Sequence, residues 1–475
     1  MSARRLARRR FLERLFLSTV TRLNPSQRTS EVLAEADWKP GRTVIVAAGK
    51  AALSMSSGAM AYLAARDLAL GGGLVVVPEQ TLGASVPSGR EQPGTDSATG
   101  PRPADEGEGA ADDGERDGAE SEADESSDVG LPVVCAGDYP VPLQRSLLAA
   151  RAACRVVSQA PPDAEILALL SGGASALMAM PAAGISLADK NAVVSGVAAA
   201  GANRRTVNLV RKHLSDIKGG RLAKLAPVPV ATLIASDVVG DDLTAVGSGP
   251  TLPDRSTVRE ACDVVAASVG WGAVPWRVRS HFEAALAGAR PDTLRHPRPG
   301  DRVALLAGTG ALVDVAVEVA TAAGLEARAF ARDVVADVDQ VAEHVAVLVR
   351  RIAAAGAARA LCFAGGGEPS IRLGPSPGVG GRAQHLALLV AREIAGIGGV
   401  SVLVAASDGI DGNSQAAGAV VDGDTWDCIR ARGYDPERAL AGHDAGTVLA
   451  AVDATMVTGI TEIKHGDLVL VATGI

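Results

Sequence analysis

Between residues 206 and 257 the spacing of apolar and polar positions changes from a helical to a strand-like period. Val207, Val210, Leu214 and Ile217 recur at helical spacing, with Asn208, Arg211, Lys212 and Ser215 on another face. This predicts a helix with one packed face and one face free for chemistry, ended by Gly219-Gly220. The apolar run VPVATLIA that follows predicts a buried strand, with Ser236-Asp237 where it stops. Ligands gather at the carboxyl ends of strands in open α/β sheets, which marks Asp237 as a candidate for function.

The rest of the chain alternates in the same way. An amphipathic first helix carries Phe11, Leu12, Leu15 and Phe16 on one face. Residues 42–47 read as a strand, Ala48-Gly49-Lys50 as a turn, and the next stretch as a helix with a lysine in its first turn. Residues 74–77 form another strand, and residues 166–170 a third that leads into the small-residue loop from Ser171 to Ser175. Ser186 to Asp189 has the form of a capping box for a helix reaching about Gly201. Residues 255–300 are helical and charged and close in a linker, RHPRPGD. A second α/β unit then opens with a strand at 303–307, the turn Gly308-Thr309-Gly310 and a helix. Further on, Gly365-Gly366-Gly367-Glu368 follows a strand and Gly380-Gly381-Arg382 opens a helix, both turn positions suited to anions.

Composition adds three restrictions. The 475 residues suffice for two or three cores, and the five cysteines, an odd set without C-x-x-C spacing, read as buried thiols in a reducing cytosol. The net charge of −8 is local: residues 91–130 hold fourteen acids and two bases, which leaves the remainder mildly positive. Residues 81–130 are Gly, Ala, Ser, Pro, Asp and Glu with hardly an aliphatic residue, the composition of a disordered surface insertion. With three tyrosines, four tryptophans and five phenylalanines there is no stacking platform for nucleic acid. No membrane span is expected either. Glu13, Arg14 and Arg22 break the apolar stretch after Arg8-Arg9-Arg10-Phe11-Leu12, and Ser171-Gly172-Gly173 and Pro181 cut the uncharged run at 166–188.

Candidate chemistry lies at the turns. Lys50 at a helix N-terminus adds a full charge to free N–H groups, although position alone favours a solvated lysine. Glycines at 172 and 173 allow backbone N–H groups to approach a phosphate, with Ser171 and Ser175 as hydroxyl donors, or they serve tight packing. Arg382 has the fork for bidentate contact with phosphate or carboxylate. No G-x-G-x-x-G with a following acid is present, which argues against a nicotinamide cofactor.

Residues 210–223, VRKHLSDIKGGRLA, and 236–257, with SDVVGD and SGPTLPDRST, resemble the glycerate 2-kinase family that carries a C-terminal MOFRL domain. The resemblance covers most of the chain outside the insertion. It implies a larger N-terminal Rossmann-like α/β/α domain over 1–285, a smaller C-terminal α/β domain over 300–475, and an active site in the cleft between them. It further implies ATP and Mg²⁺ as cofactors and transfer of phosphate to the 2-hydroxyl of D-glycerate by a cytoplasmic monomer or homodimer. Lys50, Asp237 and Arg382 align with the family's active-site lysine, aspartate and arginine, and Asp237 also becomes the expected metal ligand. Ser171, Gly172, Gly173, Ser175, Asn208, Arg211 and Lys212 are then expected to hold substrate or phosphate. Gly365, Gly366, Gly367, Glu368, Gly380, Gly381, Asp408 and Asp411 are expected at the nucleotide. Relatives have also been labelled hydroxypyruvate reductases, which makes an oxidoreductase the alternative, and a non-catalytic ligand-binding homologue is the other. The chain departs from the family pattern with Tyr139 for histidine, Leu143 for aspartate, Ala383 for asparagine, His385 for glutamate and Gln415 for aspartate.

Overall fold

The computed structural model describes residues 3–83, 131–356, 360–374, 376–461 and 463–475. The acidic insertion expected at 81–130 therefore falls outside the described residues from 84 onward, while 81–83 end the short helix Glu79–Gly83.

Among the described residues two six-stranded sheets form the framework. The strands are β1 (Arg42–Ala48), β2 (Leu70–Pro78), β3 (Val133–Gly137), β4 (Ala164–Ser171), β5 (Val230–Ala235), β6 (Arg302–Ala307), β7 (Glu326–Val334), β8 (Leu361–Gly367), β9 (Val400–Ala406), β10 (Gly418–Asp422), β11 (Thr455–Met456) and β12 (Asp467–Thr473). The first sheet is parallel throughout, in the order β3-β2-β1-β4-β5-β6. Its central strands are buried along nearly their whole length, as helices on both faces require, and this is the Rossmann-like sandwich expected from the sequence. The second sheet, β11-β10-β9-β12-β8-β7, is antiparallel except for the β7–β8 pair.

The sheets divide the chain differently from the expected 1–285 and 300–475. The strand read as opening the second unit, β6, pairs with β5 and closes the first sheet. Only after Gly308 does the chain cross over, where Leu312, Val313 and Ala316 of the helix Thr309–Ala322 pack on Leu468 and Ala364 of the second sheet. The first helix, Ala3–Arg22, lies in that same core through Leu12, Leu15 and Phe16, beside Leu403 and Leu470. Its arginines anchor it there: Arg8 Nε donates to Ser401 Oγ at 3.1 Å, and Arg9 donates to Thr455 O at 2.9 Å. Amphipathic spacing specified the helix and its buried face, while the partner sheet lies nearly four hundred residues away in sequence.

The helix of the central stretch also ends sooner than expected. It spans Arg204–His213, because Ser215 leaves it to form a bridge with Pro181 and to donate through Oγ to Met180 O at 2.8 Å. Gly219 and Gly220, at φ of 61° and 76°, instead shape the turn into the next short helix, Arg221–Lys224. Ser186 caps the helix Leu187–Ala199 by accepting from Asp189 N, as its sequence pattern indicated.

Phe16 is fully buried in the second core. Replacing it with alanine removes apolar area and leaves a cavity, so Phe16→Ala is expected to cost about 3–5 kcal/mol of stability, read as a lowered midpoint in urea unfolding.

Candidate functional site

The order of the first sheet reverses between β1 and β4, and the crevice at their carboxyl ends is where such sheets accept ligands. The chain leaving β1 crosses the chain leaving β4 at closest approach. A Cβ on Gly49 (φ 130°) would sit 2.1 Å from Ser171 Oγ, which only glycine avoids. Lys50 N then donates to Gly172 O at 2.9 Å, and Ala51 N to Ser171 Oγ at 3.0 Å. The Ser171 hydroxyl is thus occupied in building the turn. Gly172 has a separate task, since a Cβ there would lie 2.4 Å from Asp237 Oδ2. The loop after β4 is bare so that Asp237, just past β5, can reach it. Asp237 thus lies against Gly172, and the Lys50 side chain against the neighbouring Gly173.

The Lys50 side chain is exposed, with Nζ 4.7 Å from the centroid of the Tyr139 ring. The tyrosine that replaces the family's histidine therefore forms part of the crevice and orients the lysine through its π face. Asp237 is about one-fifth exposed and faces Arg204, whose Nη1 donates to the Asp237 carbonyl at 3.2 Å and lies 3.9 Å from its carboxylate. The other arm of Arg204 is 3.7 Å from Glu368, the residue after β8, so one arginine ties the two sheets together across the site. The sequence pattern did not single out Arg204; its only signal was a place in the helix's first turn, four residues before Asn208. His465 makes a second tie through Nδ1, 2.8 Å from Ser236 O. A carbonyl only accepts, so Nδ1 carries the proton; burial lowers the pKa of this imidazole and keeps it neutral.

On the side of the second sheet lies a cavity of about 450 Å³, lined by Glu368, Arg382, Asp408, Asp411, Lys464, Asp467 and the paired rings of His385 and His443. Carboxylates outnumber cations here. Arg382 is engaged, its Nε and Nη2 donating to both Asp467 oxygens at 2.6 and 3.0 Å. Asp411 accepts from Ala383 N at 2.9 Å and Gln384 N at 2.7 Å, so a protein carboxylate already holds the first turn of the helix Arg382–Glu393. Burial pushes the Asp411 carboxyl up to about 6. Gly381 leaves room for that contact, and Gly380 N donates to Asn413 Oδ1 at 2.8 Å. These glycines serve the protein's own groups. Gly365, Gly366 and Gly367 do not form a turn; they pair with β12 inside β8 and make space for Phe330, Val313 and the backbone of Val334. Glu368 and Asp408 do face the cavity, the latter 3.5 Å from Lys464.

The remaining expected residues separate. Ser175 Oγ contacts Ser248 Oγ at 2.9 Å, and buried Asn208 accepts from Ser248 Oγ and from Arg211 Nη1. Lys212 leaves the site altogether: it is buried against Asp254 at 3.1 Å, and Asp254 is further held by Ser256. Among the described residues no group of three or more His, Cys, Asp or Glu is gathered for a metal ion. A lone Asp237 still fits magnesium, which proteins bind through one or two carboxylates together with substrate phosphates.

The sheet order and the crevice define a two-unit α/β protein with its site at the switch point, flanked by cations on one side and an acid-rich cavity on the other. The comparisons place it further. Residues 11–283 match the family described as a domain of unknown function, DUF4147, and residues 361–465 match the MOFRL family. A glycerate 2-kinase of Pyrococcus horikoshii is 32% identical over 72% of this chain and 77% of its own. A protein of Agrobacterium vitis whose name provisionally assigns it hydroxypyruvate reduction is 34% identical over 71% of this chain and 86% of its own. The crystal structure of glycerate kinase from Thermotoga maritima superposes with a TM-score of 0.79 at 26% identity, covering 98% of this chain and 99% of that one. The chain belongs to the glycerate 2-kinase family.

Lys212→Met would strand the Asp254 carboxylate in the interior. It is expected to lower stability by about 3–5 kcal/mol in denaturant unfolding, the cost of halving a buried pair.

Proposed function

We propose that this protein transfers the γ-phosphoryl group of ATP to the 2-hydroxyl of D-glycerate, giving 2-phosphoglycerate and ADP. The observation that carries this reading is the placement of Asp237 against Gly172 and of the Lys50 side chain against Gly173, at the point where the first sheet accepts ligands.

Phosphoryl transfer asks a protein for position and charge neutralisation more than for covalent chemistry. Exposed Lys50 supplies positive charge to the oxygens of the migrating group. Asp237 orients the attacking hydroxyl and accepts its proton as the new P–O bond forms and the bond to ADP breaks. The acid-rich cavity suits the nucleoside end, with the phosphates directed toward Lys50 and Arg204. Magnesium, held by Asp237 with the phosphates, would shield their charge. Arg382, held by Asp467, shapes the wall between cavity and crevice and offers Nη1 to a ligand.

The test is an assay with ATP, Mg²⁺ and D-glycerate in which the product is resolved as 2- or 3-phosphoglycerate, with hydroxypyruvate and NADH run in parallel. Formation of 2-phosphoglycerate is expected; NADH oxidation without a phosphorylated product would replace this reading with a reductase. Lys50→Ala is expected to lower kcat by about 10²–10³-fold with an unchanged circular dichroism spectrum, because the side chain is exposed. Full activity in that variant would remove Lys50 from the mechanism.

A further inference from the structure

Where an enclosed histidine has a structural role in this fold, one of its ring nitrogens has a partner. His213 Nε2 lies 3.1 Å from Ser256 Oγ, His281 Nε2 2.9 Å from His213 O, and His465 Nδ1 2.8 Å from Ser236 O. His385 and His443 differ. Among the described residues neither ring makes a hydrogen bond, and Nδ1 of each is buried without a partner. The ring centroids are 5.2 Å apart, and both rings line the cavity of about 450 Å³. Nε2 is therefore the nitrogen that each ring leaves open to a ligand.

His385 follows Arg382 by three residues in the helix Arg382–Glu393, which puts it on the same face and roughly 4.5 Å further along the axis. Arg382 lies 4.0 Å from Glu368, which Arg204 connects to Asp237, so the imidazoles stand a turn beyond the wall that faces the crevice. His443 follows the helix Pro436–Ala441 at φ 51°, a left-handed position that glycine takes at less cost. Exposed Leu373 and Ile410 flank the same cavity with Pro377, an apolar setting for a flat ring. Among the described residues no third His, Cys, Asp or Glu joins the two imidazoles as a metal set would require.

We propose that His385 and His443 read the edge of a purine base, one ring taking its 6-substituent and the other the adjacent ring nitrogen. The proposal rests on the kinase reading, with the nucleoside end of ATP in this cavity, and deepens it by naming which bases are accepted. Hydrogen bonds of ~3 Å from two neighbouring rings converge on adjacent atoms of one planar edge. A neutral imidazole donates from one nitrogen and accepts at the other, and no protein partner fixes which nitrogen of either ring carries the proton. Burial brings His385 down to about 4, which keeps it neutral. The pair meets the amino group and N1 acceptor of adenine and, after exchange of tautomers, the carbonyl and N1–H of hypoxanthine. An ionised glutamate, the family's residue at position 385, only accepts and would favour the amino form alone. Histidine there widens the range from 6-amino to 6-oxo purines.

The experiment is calorimetric binding of the Mg²⁺ complexes of ATP, ITP and purine riboside triphosphate, which lacks the 6-substituent, in the absence of glycerate. Wild-type protein is expected to bind ATP and ITP within about fivefold of each other, and each about three- to tenfold more tightly than purine riboside triphosphate, the range of one hydrogen bond. His385→Glu is expected to keep ATP and to weaken ITP about tenfold, because two acceptors then face each other. His443→Gly suits the left-handed backbone and removes the ring, and is expected to bring all three nucleotides toward the affinity of purine riboside triphosphate. Equal binding of all three by wild type, a preference between ATP and ITP above fivefold, or the wild-type pattern in both variants would overturn the proposal. Should His385→Glu fail to fold, His443→Gly decides it. The glycerate assay run beside it separates the two readings: phosphorylated product with no discrimination at the 6-position defeats this subsite alone, while that discrimination without phosphorylated product defeats the kinase reading and leaves the subsite standing.

Discussion

Two backbone segments pass each other at the ends of β1 and β4 with no space for a side chain between them, and the site follows from that crossing. Gly49 must be glycine because Ser171 lies against it, and Gly172 must be bare because Asp237 lies against it. The turn is closed by Lys50 N on Gly172 O and Ala51 N on Ser171 Oγ, which commits the local donors to structure. What remains for a ligand is the side chain of Lys50 on one side and the carboxylate of Asp237 on the other. A parallel sheet whose order reverses at this point supplies the open crevice above them.

The two sheets are coupled through the same place. Arg204 spans from Asp237 to Glu368, and His465 reaches Ser236, so Asp237 and its neighbour carry both polar ties. Charge is distributed unequally across this seam: Lys50, Arg204 and Arg211 lie on the first sheet's side, while Glu368, Asp408, Asp411 and Asp467 surround the cavity of the second. Under the proposed function, the cationic wall suits an anionic substrate and the acid-rich wall a metal-bearing nucleotide.

The departures from the family pattern acquire physical content in this setting. Tyr139 lies under Lys50, so an aromatic face stands where the family has a histidine. Ala383 is fully buried and contributes only its backbone N–H, to Asp411. His385 stacks near His443, with ring centroids 5.2 Å apart, and burial brings it down to about 4, a neutral imidazole in the wall of an acid-rich cavity. Gln415 is exposed.

Local pattern was sufficient for most elements: the strands around residues 42–47, 166–170 and 228–235, the cap at Ser186, and the first helix with its buried face all stand where periodicity put them. The placement of Lys50, the Gly172-Gly173 loop and Asp237 at strand ends was legible for the same reason, because a strand's end is a local property. Partners were not legible. Whether β6 joins the first or second sheet, whether Gly365 to Gly367 turn or pair, and whether Lys212 meets a ligand or Asp254 depends on segments distant in sequence. Adjacent residues show the limit: Arg211 and Lys212 look equivalent as letters, yet Lys212 is neutralised by a carboxylate while Arg211 donates to the Asn208 amide oxygen. Periodicity reports which face of an element is apolar; only packing brings a counter-ion within reach of a charge or leaves that charge without one, and so separates structure from site.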